Sequence, residues 1–153
     1  VIAFRAPFLP TLTGRVDDAL ELRDLQSGQT LLELGSGDGR LLRAAAARGI
    51  HAVGYELNPI LVLWSKLLSM KYKGLVTVKL GNFWQTKWPE FDGVYVFLLN
   101  PYMTKLDTRL IQESKDKNIK LVSFAFQIPD KKPKKEINGM FLYKYESGAG
   151  VAQ

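Results

Sequence analysis

The sequence contains no cysteine, which removes disulfides, thiolate nucleophiles and cysteine-ligated metal together and suits a reducing compartment. It has one histidine, His51, so a histidine-rich metal site or a Ser-His-Asp triad with a spare histidine is a poor reading. No apolar run approaches the roughly 18 residues that a bilayer-crossing helix needs. Internal repeats and low-complexity stretches are absent. So is an initiator methionine: the chain opens Val-Ile-Ala-Phe, as a processed or trimmed chain would, and an anchor or targeting segment ahead of it is an expectation. Lys and Arg number 21 against 15 Asp and Glu, a net charge of +6. That is a mild bias toward acidic partners such as nucleic acid, anionic lipid or an acidic protein face, and too small to diagnose a nucleic-acid binder.

What is present is a chain of 153 residues, 46% apolar and 24% charged, enough for one domain over 1–153 with a full core. Residues 1–12, with Pro7 and Pro10, read as an extended lead-in segment. Thr13–Leu25 has a roughly helical apolar spacing. The pattern then alternates. Thr30–Leu34 is a strand, Arg40–Arg48 a helix closed by Gly49, and Ala52–Glu56 a second strand. Asn58 caps a further helix with Pro59 at its first position. Its stripe of Ile60, Leu61, Trp64, Leu67 and Leu68 predicts a core-facing side with Trp64 in the core. Leu75–Leu80, Gly93–Leu99 and Lys120–Phe126 read as strands, and Thr104–Ser114 as a helix. Asn138-Gly139 signals a type I′ hairpin between two final strands. The expected fold is α/β: a Rossmann-like three-layer sandwich around a mostly parallel seven-stranded sheet with a C-terminal antiparallel hairpin. A ligand is then expected at the carboxyl ends of the strands.

Glu33-Leu34-Gly35-Ser36-Gly37-Asp38-Gly39-Arg40 follows a strand and opens a helix. Three alternate glycines are more than a tight turn requires, and they let a ligand approach main-chain atoms. The dinucleotide fingerprint G-x-G-x-x-G fits poorly, because Gly39 comes one residue early and Arg40 takes the last place. Asp38 also sets a carboxylate where a diphosphate would lie. A ligand with a cationic amino acid end and no phosphate, such as S-adenosylmethionine, fits better. Glu56 ends the second strand, where a carboxylate accepts both hydroxyl hydrogens of a ribose. After the third strand, the Asn82 side chain is placed to bond an adenine amine and the Phe83 amide to reach a ring nitrogen.

Together these residues resemble class I S-adenosylmethionine-dependent methyltransferases, from about Phe8 to Tyr145. GSGDGR (35–40), AVGYELNP (52–59) and GNFW (81–84) are more similar to one small family. That family contains the mitochondrial lysine methyltransferases of the ATP synthase c-subunit and the adenine nucleotide translocase, with prokaryotic relatives. Its members often carry a hydrophobic membrane-associated segment before a stretch resembling Ala6-Pro7-Phe8-Leu9-Pro10-Thr11. The resemblance implies that Glu33, Gly35, Gly37, Asp38 and Gly39 frame the methionine end of the cofactor. It implies further that Glu56 holds the ribose, that Asn82 and Phe83 meet the adenine, and that Thr11 and Thr13 close over the cofactor carboxylate. Asn82 stands where relatives usually have Asp, and Asn100 where they more usually have Pro. S-adenosyl-L-homocysteine is the implied product, and no metal is called for.

Leu98-Leu99-Asn100-Pro101-Tyr102 is similar to the Asn/Asp-Pro-Pro-Tyr turn of methyltransferases acting on planar or amide nitrogens, with one proline missing. Asn100 and Tyr102 are the candidate catalytic residues, holding the acceptor nitrogen. A capping turn before the next helix is the alternative. Methyl transfer from a sulfonium needs alignment more than a strong base, and positioning supplies roughly 7–11 kcal/mol. Phe124 and Phe126 are candidates to flank a lysine acceptor, with a core role as the alternative. His51 reads as structural, and Trp84 and Trp88 as flanking the adenine side. Lys131–Lys135 is expected at the carboxyl edge, facing an acidic substrate or an anionic membrane surface. The sequence thus predicts a monomeric N-methyltransferase acting on a lysine of a protein, a membrane protein among the options. It would lie inside the cell, in the cytoplasm or held at a membrane by a segment absent from this chain. The alternatives are a nucleic-acid or small-molecule N-methyltransferase and a non-catalytic cofactor-binding scaffold.

Overall fold

A computed structural model describes Ala19, Leu20 and residues 24–148. The lead-in segment 1–12, Thr11 and Thr13 lie outside the described residues. The elements run β1 (Thr30–Leu34), α1 (Arg40–Ala46), β2 (His51–Glu56), α2 (Pro59–Leu68), β3 (Val76–Leu80), β4 (Gly93–Val96), α3 (Met103–Glu113), β5 (Ile119–Phe124), β6 (Lys135–Ile137) and β7 (Met140–Tyr145).

Successive side chains of a strand point to opposite faces of its sheet. Leu32 and Leu34 of β1 enter one apolar cluster and Leu31 the other. β4 divides likewise, Val94 and Val96 from Tyr95, and β7 divides Phe141, Tyr143 and Tyr145 from Met140 and Leu142. Met103, Leu106 and Leu110 of α3 cover the first face. Leu41, Leu42 and Ala45 of α1 cover the second, with Val62 of α2 and the helical residues Ala19 and Leu20. Both faces are buried, which gives three layers and explains the apolar character of the central strands.

The seven strands lie in the order β3-β2-β1-β4-β5-β7-β6. β1 to β5 pair in parallel, and β7 runs antiparallel to β5 and β6. The Rossmann-like sandwich and its antiparallel end are as the sequence predicts. The chain steps outward from β1 to β2 to β3, then returns to the other side of β1 as β4. This reversal leaves a crevice outside the carboxyl ends of β1 and β4. The Thr30 amide donates to Asp92 Oδ2 at 2.9 Å and ties the two halves together.

Three expectations are corrected. β4 ends at Val96 rather than Leu99, and β5 at Phe124 rather than Phe126. After β4 the chain feeds a 3-10 turn at Asn100–Tyr102, where the Tyr102 amide donates to the Leu99 carbonyl at 3.0 Å. After β5, Ala125 adopts a left-handed φ of 74°. Second, the apolar stripe of α2 faces outward: Ile60 is 76%, Trp64 52% and Leu67 52% exposed. Val62 and Ser65 are the buried residues of this helix, and the following Ser69 is buried too. Ser65 lies against Gly39, and Arg43 Nη1 reaches Ser69 Oγ at 3.4 Å, so the contact with α1 requires small side chains. Periodicity defines a face of a helix but not what that face meets.

Third, the Lys131–Lys135 run is not at the rim of the crevice. It leads to β6, where Lys135 stands opposite Leu142, below the Ile137–Met140 pair at the carboxyl level. Lys131 pairs with Asp107 at 2.9 Å and lies 4.1 Å from the centre of the Tyr145 ring. Tyr145 donates to the same carboxylate at 2.7 Å. Burial first, and that hydrogen bond second, push the Tyr145 hydroxyl far above the usual tyrosine range. The hairpin turn itself has φ of 49° at Asn138 and 80° at Gly139, the signature of type I′.

Candidate functional site

The glycine-rich segment bridges β1 and α1 at the crevice. Gly35, Gly37 and Gly39 have φ of 85°, 59° and 82°, a region that costs other residues roughly 1–2 kcal/mol each. The amides of Gly35 and Ser36 both donate to the Tyr55 carbonyl, each at 2.9 Å, which stitches the loop to the end of β2. Gly39 packs against Ser65: a Cβ there would lie 2.0 Å from Ser65 Oγ. The close approach of α1 to α2 rests on its missing side chain.

Glu56, the last residue of β2, accepts from both flanks. Gly37 N–H donates to Oε1 at 2.9 Å and Asn58 N–H to Oε2 at 2.8 Å. The carboxylate is thus fixed in direction with acceptor capacity left on each oxygen. Asn58 also caps α2, its Oδ1 accepting from the Ile60 amide at 2.9 Å. Glu33 is buried in β1 between Gly54 of β2 and Tyr95 of β4. Asp38 accepts from the Arg40 amide at 3.1 Å and pairs with the Arg40 guanidinium at 3.0 Å, so its charge is answered within α1. Arg43 donates to the Asp38 carbonyl at 2.7 Å. Burial draws the Arg43 guanidinium below its ordinary value, and the Asp38 carboxylate opposes that shift.

Asn82 follows β3, and its Oδ1 accepts from the Trp84 amide at 3.0 Å. It therefore caps the 3-10 turn Phe83–Gln85, a job a carboxylate or an amide oxygen does equally well. The Phe83 ring is buried, and its carbonyl accepts from Trp88 Nε1 at 2.8 Å. Trp88 is core, with the Arg109 guanidinium 4.0 Å above its ring, while Trp84 is half-buried beneath Lys105 at 4.7 Å. His51 is exposed at the amino end of β2, away from these groups.

Asn100 is exposed and Tyr102 half-buried in the turn beyond β4. Three rings gather at the carboxyl ends of β4 and β5. The Phe97 centroid lies 5.0 Å from Phe124, edge-on, and 6.1 Å from Phe126, stacked. Ser123 Oγ donates to the Phe126 carbonyl at 2.5 Å and folds this segment back on the strand.

A family model described as the ANTKMT methyltransferase domain matches residues 33–135, a span from Glu33 past Tyr102. The chain belongs to the ANTKMT methyltransferase family. It is 30% identical over 125 residues to the ATP synthase c-subunit lysine N-methyltransferase of Homo sapiens, covering 80% of this chain and 53% of that protein. It is likewise 30% identical over 135 residues to a protein-lysine N-methyltransferase of Saccharolobus islandicus (strain REY15A), covering 86% of this chain and 83% of the relative. A crystal structure of an RNA methyltransferase from Salinibacter ruber, in complex with S-adenosyl-L-homocysteine, superimposes with a TM-score of 0.77 at 29% identity, covering 90% of this chain and 92% of that one. The chain spans about half the length of the mammalian c-subunit methyltransferases it matches.

Two features of this ANTKMT domain escape a motif reading. Phe97 joins Phe124 and Phe126 only because β4 and β5 pair in register, a long-range fact. Gly54 lies mid-strand, and a Cβ there would come within 2.6 Å of Leu42 Cδ1 and of Ser36 Cβ. A glycine interrupting an apolar strand does signal close backbone approach, and that signal was available in AVGYELNP. Gly54→Ala is expected to destabilise the fold by about 1–3 kcal/mol through overpacking against the glycine loop. A urea melt showing an unchanged midpoint would contradict this contact.

Proposed function

We propose that the chain is an S-adenosylmethionine-dependent N-methyltransferase acting on a lysine of a protein. The observation that carries the reading is Glu56, a carboxylate aimed by two backbone amides at the carboxyl end of β2, beside a loop of three left-handed glycines. These groups suit the ligand: Glu56 has acceptor sites for two ribose hydroxyls, and the loop approaches without side chains. Glu33 supplies buried negative charge for a cationic amino acid end. Gly35, Gly37, Asp38 and Gly39 frame that end, with Asp38 acting through α1. Asn82 and Phe83 border the adenine. When bound, S-adenosylmethionine supplies a methyl group on a sulfonium, whose departure leaves the thioether of S-adenosylhomocysteine.

The chain's own part is alignment. Asn100 and Tyr102 orient the acceptor nitrogen, while Phe97, Phe124 and Phe126 wall the approach with ring faces suited to an alkylammonium. An amine must arrive unprotonated, and desolvation between such walls favours that form. The names of the Homo sapiens and Saccharolobus islandicus relatives support a protein lysine as acceptor. A second reading, transfer to a nucleic-acid nitrogen, is favoured by the Asn100-Pro101-Tyr102 turn and by the likeness to the Salinibacter ruber RNA methyltransferase.

Incubation with methyl-labelled S-adenosylmethionine and a cell extract separates the two. Label released by protease and not by nuclease, and recovered as methyl-lysine, is the expected result. The reverse would replace the lysine reading. Asn100→Ala and Tyr102→Phe are expected to lower turnover roughly a hundredfold with cofactor binding retained, as loss of acceptor alignment requires. Unchanged turnover in both would return this turn to a capping role.

A further inference from the structure

Among the described residues, the large apolar side chains left exposed concentrate in one stretch. Ile60, Leu63, Trp64, Leu67 and Leu68 follow one line along α2, and Met70 and Leu80 continue it across to β3, the edge strand of the sheet. Patches of this extent mark a contact surface. Ser65 and Ser69 are turned inward in their place, so the exposure is built into the packing of α2 on α1. The charge along this stretch of chain has one sign. Residues 57–89 hold five lysines and no acidic residue. Lys66, Lys71, Lys73 and Lys79 are exposed, and Lys66 and Lys73 line a groove of about 490 Å³ between α2 and β3, together with Met70 and Val76.

We propose that the outer face of α2 with the β3 edge is a docking surface for an anionic lipid bilayer. An apolar helical row with a tryptophan, bordered by lysines and lying flat on the protein, matches what the headgroup boundary of such a bilayer binds. The lysine stems bury beside the apolar row while their ammonium groups meet lipid phosphates. An apolar protein surface would not need the bordering lysines, and an acidic one would not match the seven apolar side chains. Among the described residues no helix is long and apolar enough to cross a membrane, and α2 has ten residues, so the contact is peripheral. Ile60 lies two residues past the Asn58 cap beside Glu56, which brings the bilayer up to one rim of the candidate site. This inference stands apart from the methyl acceptor.

The test is flotation of the full chain with vesicles of phosphatidylcholine alone and of equal parts phosphatidylcholine and phosphatidylserine. Binding to the anionic vesicles, weakened by salt, is expected, with a blue shift in tryptophan emission that Trp64→Phe removes. Leu63→Glu combined with Leu67→Glu replaces exposed residues and is expected to cut binding roughly tenfold or more without changing cofactor affinity. Lys71→Glu with Lys73→Glu should do so on anionic vesicles only. Absence of vesicle binding by the full chain would overturn the proposal. So would binding that the leucine variant leaves intact, or a dimer in light scattering that this variant dissolves while vesicles are ignored.

Discussion

Glu56→Ala should lose S-adenosylmethionine binding that calorimetric titration detects near the micromolar range in the unaltered chain. Hydrogen bonds to a charged group contribute about 1.5–3 kcal/mol each. Two ribose hydroxyls facing this carboxylate therefore put the loss at roughly 3–6 kcal/mol, or about a hundredfold to ten-thousandfold in affinity. The Gly37 and Asn58 amides lose their acceptor as well, so the loop that frames the ligand is loosened from β2. Glu56→Gln should fall between: one oxygen remains to accept, while the amide group turns donors toward an N–H. S-adenosylhomocysteine should follow the same order. Wild-type affinity in Glu56→Ala, with the fold intact by circular dichroism, would move the ligand elsewhere in the crevice.

Gly39→Ala is expected to reduce stability by about 3 kcal/mol from two separable causes. A left-handed φ of 82° costs an alanine roughly 1–2 kcal/mol. Its Cβ would also stand 2.0 Å from Ser65 Oγ, a clash whose relief costs about 1–3 kcal/mol. A thermal melt should fall by roughly 2–4 °C for each kcal/mol in a chain of this size. Adding Ser65→Gly should recover the steric part and leave the backbone part, after allowance for the cost of a glycine within α2. If the double variant gains nothing over Gly39→Ala, the contact between loop and α2 does not have the closeness described.

The parts of the site that are local in sequence were legible. The turn at 35–40, the carboxylate ending β2 and the Asn58-Pro59 start of α2 each announce a backbone requirement through residue type. Asn138-Gly139 did the same for the hairpin. The failures share a cause. The α2 stripe has the spacing of a core helix, but its inner face is set by Gly39 and Arg43, which belong to a different segment. Lys131 reads as one of a basic run at the carboxyl edge until Asp107 and Tyr145 are brought to it by α3 and β7. Phe97 reads as strand, because nothing local says that β4 ends four residues before Asn100. Contacts between distant segments decide which of two chemically sensible faces is inside, and periodicity is silent on that choice.

The bond from Thr30 to Asp92 spans 62 positions. The glycine loop and Glu56, by contrast, belong to one β1-α1-β2 unit within residues 30–56. Loop-closure entropy rises with the length of chain to be gathered, and non-local strand pairing slows folding. The frame of Glu56 and the glycine loop is therefore a short-range product. The ring cluster of Phe97, Phe124 and Phe126 waits for β4 to find β1 and for β5 to find β4. In order of assembly, the β1-α1-β2 side of the crevice is expected early, and the side built on β4 and β5 is expected to be completed by the slower step.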